Sequence, residues 1–170
     1  MKKEIPLFIL LALFTLNSCV KPNDTPTRKI AINELMPVNN TTATDQNGEY
    51  DDWIELFNLS DSGLDISGYY LSDSKKNIIK WQIPQGTSIS GKSYLVVWAD
   101  KDTTQVGLHA NFKLSSLGET VILSKPDGTL IDEVKYPGQT HELSYSRNPD
   151  GTGTFRWQKP TFNWTNNNSN

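Results

Sequence analysis

Five oxygen-bearing side chains, Asp45, Asn47, Glu49, Asp51 and Asp52, fall within eight consecutive positions. Hard oxygen ligands at alternate positions are what Ca²⁺ takes, and Asp45, Asn47, Asp51 and Asp52 form the candidate set. The spacing departs from the twelve-residue calcium loop, because Gly48 comes too early and no Glu closes the far end. The competing reading is a solvated turn in which Asp52 fixes the entry to the next strand. No other cofactor is implied. Glu34 and Asp132 each break the alternation of an apolar segment, on the face that carries Ile30 and Ile32 or Leu130 and Val134. An inward carboxyl has its pKa raised unless it is hydrogen-bonded, and two such groups can act as the acid and base of a hydrolase. The structural reading is stronger: each caps backbone N–H groups at a strand end or bulge, or the register shifts there. His109 and His141 are the only histidines, whereas zinc asks for three or four ligands. Neither a nucleophile elbow, a phosphate loop nor a Cys–His pairing is present. No catalytic residue is assigned, and the chain reads as non-enzymatic. Lys75, Lys76 and Lys80 near Trp81 could hold a nucleic-acid strand by charge and stacking. The plainer reading is a solvated hairpin with Trp81 in the core.

The elements that would position these residues are strands. Apolar residues come in runs of four to seven, separated by Gly, Pro, Asn, Asp and Ser, and no helical periodicity stands out. Ile30 to Asn33 alternates. Trp53 to Asn58 is mixed and expected half-buried on both faces. Leu64 to Leu71 reads as two short strands or a bend around Gly68. Ile78 to Ile83 reads as a strand, and Tyr94 to Ala99, the most apolar run, as a central one. Thr120–Leu123 and Leu130–Val134 flank Lys125-Pro126-Asp127-Gly128, a hairpin signal. A second Pro-Asp-Gly, at 149–151, separates Leu143–Ser146 from Phe155–Trp157. Eight to ten strands are expected, in an all-β sandwich. Residues 99–108 read as a long polar connection, and the Asn-rich residues 165–170 as a disordered tail.

Met1-Lys2-Lys3 is followed by an apolar run from Ile5 to Leu16, broken only by Pro6 and Thr15. A membrane-spanning helix needs about 20 apolar residues, so the run instead suits the core of a secretory signal. Leu16-Asn17-Ser18-Cys19 resembles the lipobox of bacterial lipoproteins, in which the Cys becomes the new N-terminus and is acylated, palmitate being one such chain. Cys19 is the only cysteine and sits where that processing needs it. One acyl chain holds marginally, at about 0.8 kcal/mol per buried methylene, and two or more hold stably. The expected organisation is a signal peptide at 1–18, lipidation at Cys19, a flexible polar tether over 19–28 and a folded domain over 29–164. Asp102-Thr103-Thr104 resembles a short O-glycosylation motif of some Gram-negative bacteria.

Loss of residues 1–18 would take Lys2, Lys3 and Glu4 from 16 basic and 19 acidic residues, leaving 14 and 18, a net charge of −4. That balance argues against a nucleic-acid partner. A lone cysteine allows no internal disulfide, so the fold must rest on burial and ladder hydrogen bonds.

The series Ile32-Asn33-Glu34-Leu35, Asp52-Trp53-Ile54-Glu55-Leu56-Phe57-Asn58 and Leu64-Asp65-Ile66-Ser67-Gly68-Tyr69-Tyr70-Leu71-Ser72-Asp73 resembles the lamin tail domain. The likeness continues through Tyr94-Leu95-Val96-Val97-Trp98-Ala99-Asp100, Gly118-Glu119-Thr120-Val121, Asp127-Gly128-Thr129-Leu130 and Ser144-Tyr145-Ser146-Arg147. It spans roughly residues 29–164, and only Lys159-Pro160-Thr161-Phe162-Asn163 departs from the closing pattern. The resemblance implies an immunoglobulin-like β-sandwich without catalysis, an interaction module on exported proteins. With the lipobox, the expectation is a lipid-anchored module of the cell envelope, on the outer membrane or cell surface. Its partners are the membrane, through acylated Cys19, and an envelope protein or glycan. Loops 39–52, 72–77 and 99–108 would meet that partner. The alternative is a calcium-dependent accessory domain for carbohydrate or nucleic acid.

Overall fold

The computed structural model describes residues 28–139 and 141–168. The expected signal peptide, Cys19 and all of the tether except Arg28 lie outside the described residues. Twelve strands are seen among these residues: β1 (Ile30–Met36), β2 (Trp53–Asn58), β3 (Leu64–Asp65), β4 (Tyr70–Ser72), β5 (Trp81–Gln82), β6 (Ser88–Ile89), β7 (Tyr94–Ala99), β8 (His109–Ala110), β9 (Gly118–Ser124), β10 (Leu130–Pro137), β11 (Ser144–Asn148) and β12 (Thr154–Gln158). They exceed the expected number because four are two-residue pieces.

One sheet has the order β12-β11-β1-β2-β7-β8 and the other β10-β9-β4-β5, with β3 and β6 forming a separate ribbon. Only β7 and β8 pair in parallel. The core lies between the two sheets. Ile32 and Leu35 of β1, Ile54 and Leu56 of β2 and Val97 of β7 meet Leu71 of β4, Val121 and Leu123 of β9 and Tyr136 of β10. This is the expected all-β sandwich.

A second apolar cluster, Met36, Trp53 and Trp98 with Phe162 against it, covers the outer face of the larger sheet. All six residues of β2 are therefore buried, rather than half-buried as expected. The cover is the segment after β12. Phe162 meets Trp53 edge-on at 5.3 Å between ring centroids, and the short 3-10 turn at Asn166–Asn168 brings the fully buried Asn166 against the sheet. Residues 165–167, expected to be loose, are tied down because Thr165 and Asn166 donate to the half-buried Asp150 carboxylate. Thr165 Oγ1 donates to Asp150 at 2.6 Å, and Asn166 N to the same carboxylate at 3.1 Å.

Glu34 and Asp132 both sit where the register shifts, at Ile32/Glu34 in β1 and Leu130/Asp132 in β10. Each extra residue turns one carboxylate without losing the inward face for Leu35 or Val134. Two expectations are corrected. The 78–83 strand shrinks to Trp81–Gln82, because the hydroxyls of Ser72 and Ser124 take the carbonyls of Asn77 and Ile78 in place of a ladder. Residues 94–99 form a strand flanked by β2 and the two-residue β8, so β7 lies next to the edge, not at the centre. The 125–128 turn closes as its Pro-Asp-Gly foretells, with Gly128 at φ 80.

Candidate functional site

The loop from β1 to β2 is organised by Asn39, whose side-chain amide donates to the carbonyls of Ala43 and Asp51 at 2.7 and 2.8 Å. Within it the chain turns tightly at Asp45. Asp45 N donates to Glu49 O at 3.0 Å, and Asp45 Oδ1 accepts the backbone N–H groups of Asn47 and Glu49, both at 2.9 Å. The short polar side chain so replaces a backbone acceptor, an Asx turn. Asp45 is only 8% exposed. Its Oδ2 has no hydrogen-bond donor among the described residues.

A second segment meets this loop. β7 runs out at Ala99 and the chain returns through 100–108 to pair β8 in parallel, with Trp98 opposite His109. That return sets His109 Nδ1 2.5 Å from Asp100 Oδ2, to which it donates, with both side chains buried. Gln105 Nε2 donates to Glu49 Oε2 at 2.7 Å and fastens the two loops together. Asp45, Asp100 and His109 have ligand atoms within 4.8 Å of one another, and so do Asp45, Glu49 and Asp51. Burial, followed by the charge of Asp100, raises the pKa of Asp51, while Lys113 opposes the shift.

Of the four residues read as a calcium set, Asp45 and Asp51 come together. The side chain of Asn47 is exposed and only its N–H takes part. Asp52 belongs elsewhere, its Oδ2 accepting Leu114 N at 3.1 Å. Asp100 and His109 join the cluster from more than fifty positions away. The sequence signal for them is slight: an Asp that ends the most apolar strand and one of only two histidines.

The outer face of the larger sheet holds a different polar group. Glu34 and Glu55 stand opposite each other in the ladder. Thr161 donates to Glu34 from its N–H at 3.0 Å and its hydroxyl at 2.6 Å, and Asn163 N donates to Glu55 Oε2 at 2.7 Å. Asn33 Nδ2 donates to Glu55 and to Asp150, at 2.9 and 3.0 Å. Burial raises both carboxyl pKa values, that of Glu55 well above normal, with the charge of Glu34 as its second cause. Glu34 and Asp132 share no hydrogen-bond partner. Asp132 binds Ile32 N, Arg147 and Arg28 instead.

These shifts carry a pH prediction. Asp52, raised by burial from 3.8 to about 7, and Glu34, Glu55 and Asp51, each raised chiefly by burial, bind protons more tightly in the folded state than in the unfolded chain. Their contribution is fully present below the unfolded values and is lost as pH rises through the folded ones. Stability should therefore climb as pH is lowered from about 7.5 to about 5. Urea midpoints at those two values check the sign.

The remaining candidates are dispersed. Trp81 is buried in the core and offers no stacking face, Lys75 pairs with Glu133, and Lys80 binds Asp73 at 2.7 Å. His141 is exposed. Thr104 Oγ1 donates to Asp102 Oδ1 at 2.7 Å on the exposed 99–108 loop. At the end of the sandwich where the described chain begins, a cavity of about 740 Å³ is lined by Arg28, Lys29, Lys125, Tyr69, Leu130 and Ile131 among others.

The family model described as the lamin tail domain matches residues 23–138. No curated protein matches the chain. The matched span ends before β11, yet β11 pairs with β1 and completes the larger sheet. With an immunoglobulin-like β-sandwich and a match over most of its length, the chain belongs to the lamin tail domain family.

Proposed function

We propose that the protein is a lipid-anchored, non-enzymatic interaction module of the cell envelope, held by acylated Cys19 and facing a protein or glycan partner with loops 39–52 and 99–108. The family supplies an immunoglobulin-like interaction domain of a generally non-enzymatic kind. The observation that carries the reading is the polarity of the larger sheet. β1 pairs Ile30 with Asn58 at one end and Met36 with Trp53 at the other, and Trp53 faces Trp98. Arg28, where the tether enters, is therefore at the Ile30 end. The 39–52 and 99–108 loops leave from the Met36 end, about 20 Å away at the rise of a seven-residue strand. Anchored at Cys19, the domain turns these joined loops away from the bilayer. They carry Tyr50, 49% exposed, and Val106, 83% exposed, on a polar rim. Apolar side chains set in polar surroundings are the composition of a recognition surface.

Two measurements test this. Intact mass and membrane fractionation of the full chain in a Gram-negative host should show added acyl mass and membrane retention, both lost in Cys19→Ala. Photo-crosslinkers placed in living cells at Tyr50 and Val106 should give discrete adducts, with none at Leu130 near the tether. Equal solubility of both forms, or adducts only at Leu130, would contradict the reading.

A further inference from the structure

We propose that the acidic turn of loop 39–52 binds a calcium ion through the carboxylates of Asp45, Glu49 and Asp51. The site goes beyond the anchoring and partner reading and does not depend on it.

Geometry comes first. Calcium takes six to eight oxygens at about 2.3–2.6 Å, so its ligands lie within about 5 Å of each other. Asp45 is the shared member of two groups whose ligand atoms all fall within 4.8 Å, one with Glu49 and Asp51 and one with Asp100 and His109. An ion beside Asp45 can thus draw the carboxylates of Glu49 and Asp51.

The second observation is the unpartnered oxygen. Asp45 is more than nine-tenths buried, and its two available backbone donors are both spent on Oδ1. Oδ2 is buried with no donor among the described residues. A buried carboxylate oxygen without a partner is costly, and native structures rarely leave one so. Gln105 Oε1, on the opposing loop, is buried and likewise without a donor, while its Nε2 is committed to Glu49. The donor set asks for a cation, since an anion or an apolar ligand would leave both oxygens unmet. Lys113, paired with Asp51 at 3.8 Å, is itself more than half exposed.

The choice of ion follows from the ligands. Three carboxylates from one irregular loop suit the loose coordination of calcium, whereas magnesium demands a near-ideal octahedron. Zinc would need the imidazole, which belongs to the other group, and both ring nitrogens of His109 are engaged, Nδ1 with Asp100 Oδ2 at 2.5 Å and Nε2 with Val106 O at 3.3 Å.

The test uses the full chain in detergent, stripped with EGTA and then titrated with Ca²⁺, Mg²⁺ or Zn²⁺. Millimolar Ca²⁺ should raise the melting temperature by about 5 °C or more, reversibly on adding EGTA. Asp45→Asn keeps the Oδ1 acceptor and removes the charge, so its calcium response should weaken at least tenfold. Glu49→Gln, at an exposed ligand, gives a second readout should Asp45→Asn not fold, while Asp127→Asn in the remote hairpin should respond like the wild type. No calcium shift, an unchanged shift in Asp45→Asn and Glu49→Gln, or a shift with Zn²⁺ alone that His109→Gln abolishes would each overturn the assignment. None of these outcomes bears on acylation or on crosslinks at Tyr50, so the two proposals fail separately.

Discussion

Asp132→Ala is expected to destabilise the domain by about 3–5 kcal/mol, the cost of breaking a buried ion pair by removing one partner. The carboxylate stands in for part of a strand. β11 pairs with β1 only at Glu34 and Leu35. At Ile32 the open side of β1 is filled by side chains: Asp132 Oδ2 accepts Ile32 N at 2.9 Å, and Arg147 Nε donates to Ile32 O at 3.0 Å. Arg147 in turn grips Asp132 at 3.1 Å, and Arg28 joins them. Truncation would strand a backbone N–H and leave two guanidiniums without their shared counter-charge. Urea denaturation should show a lowered midpoint with an unchanged slope. A loss under 1 kcal/mol would mean that water replaces the carboxylate and that the two sheets are not joined there.

Trp53→Ala should cost about 3–5 kcal/mol as well, by a different route. Trp53 is fully buried outside the main core, among Met36, Trp98 and Phe162. Its removal empties the layer beneath residues 160–166 and deprives Phe162 of its edge-on partner. The indole Nε1 has no acceptor among the described residues. Trp53→Phe removes that unmet donor along with some area, and about 1 kcal/mol is expected. Thermal melts of the two variants against wild type decide the matter. Equal losses would show that the N–H has a partner after all.

Much of the sandwich can be read from local pattern. Pro126-Asp127-Gly128 and Pro149-Asp150-Gly151 mark their turns, and the broken alternation at Glu34 and Asp132 marks the two bulges, since a carboxyl among inward apolar residues demands a changed register. What escapes is non-local. The burial of Trp53 and Glu55 depends on a segment a hundred residues later, which reads as polar and loose although the Thr161 hydroxyl and the Asn163 backbone N–H donate to buried carboxylates. The acidic pocket is half legible for the same reason. Asp45 and Asp51 are close in sequence, but Asp100 and His109 arrive only through the parallel return of β8, a pairing that no short window of sequence encodes. Asp52 and Asn47 look alike to Asp45 and Asp51 in composition, and the backbone turn separates them.

The cover over β1 and β2 also sets a clock. Glu34 is made early in the chain and acquires its donor, Thr161, 127 residues later. At about 5–20 residues per second of synthesis, the gap is roughly 6 to 25 s. Through that interval two carboxylates destined for burial keep their water, and β1 and β2 have no lid. The order of synthesis and the order of locking are opposed, so the β1–β2 pair stays unlocked until residues 161–163 have been made.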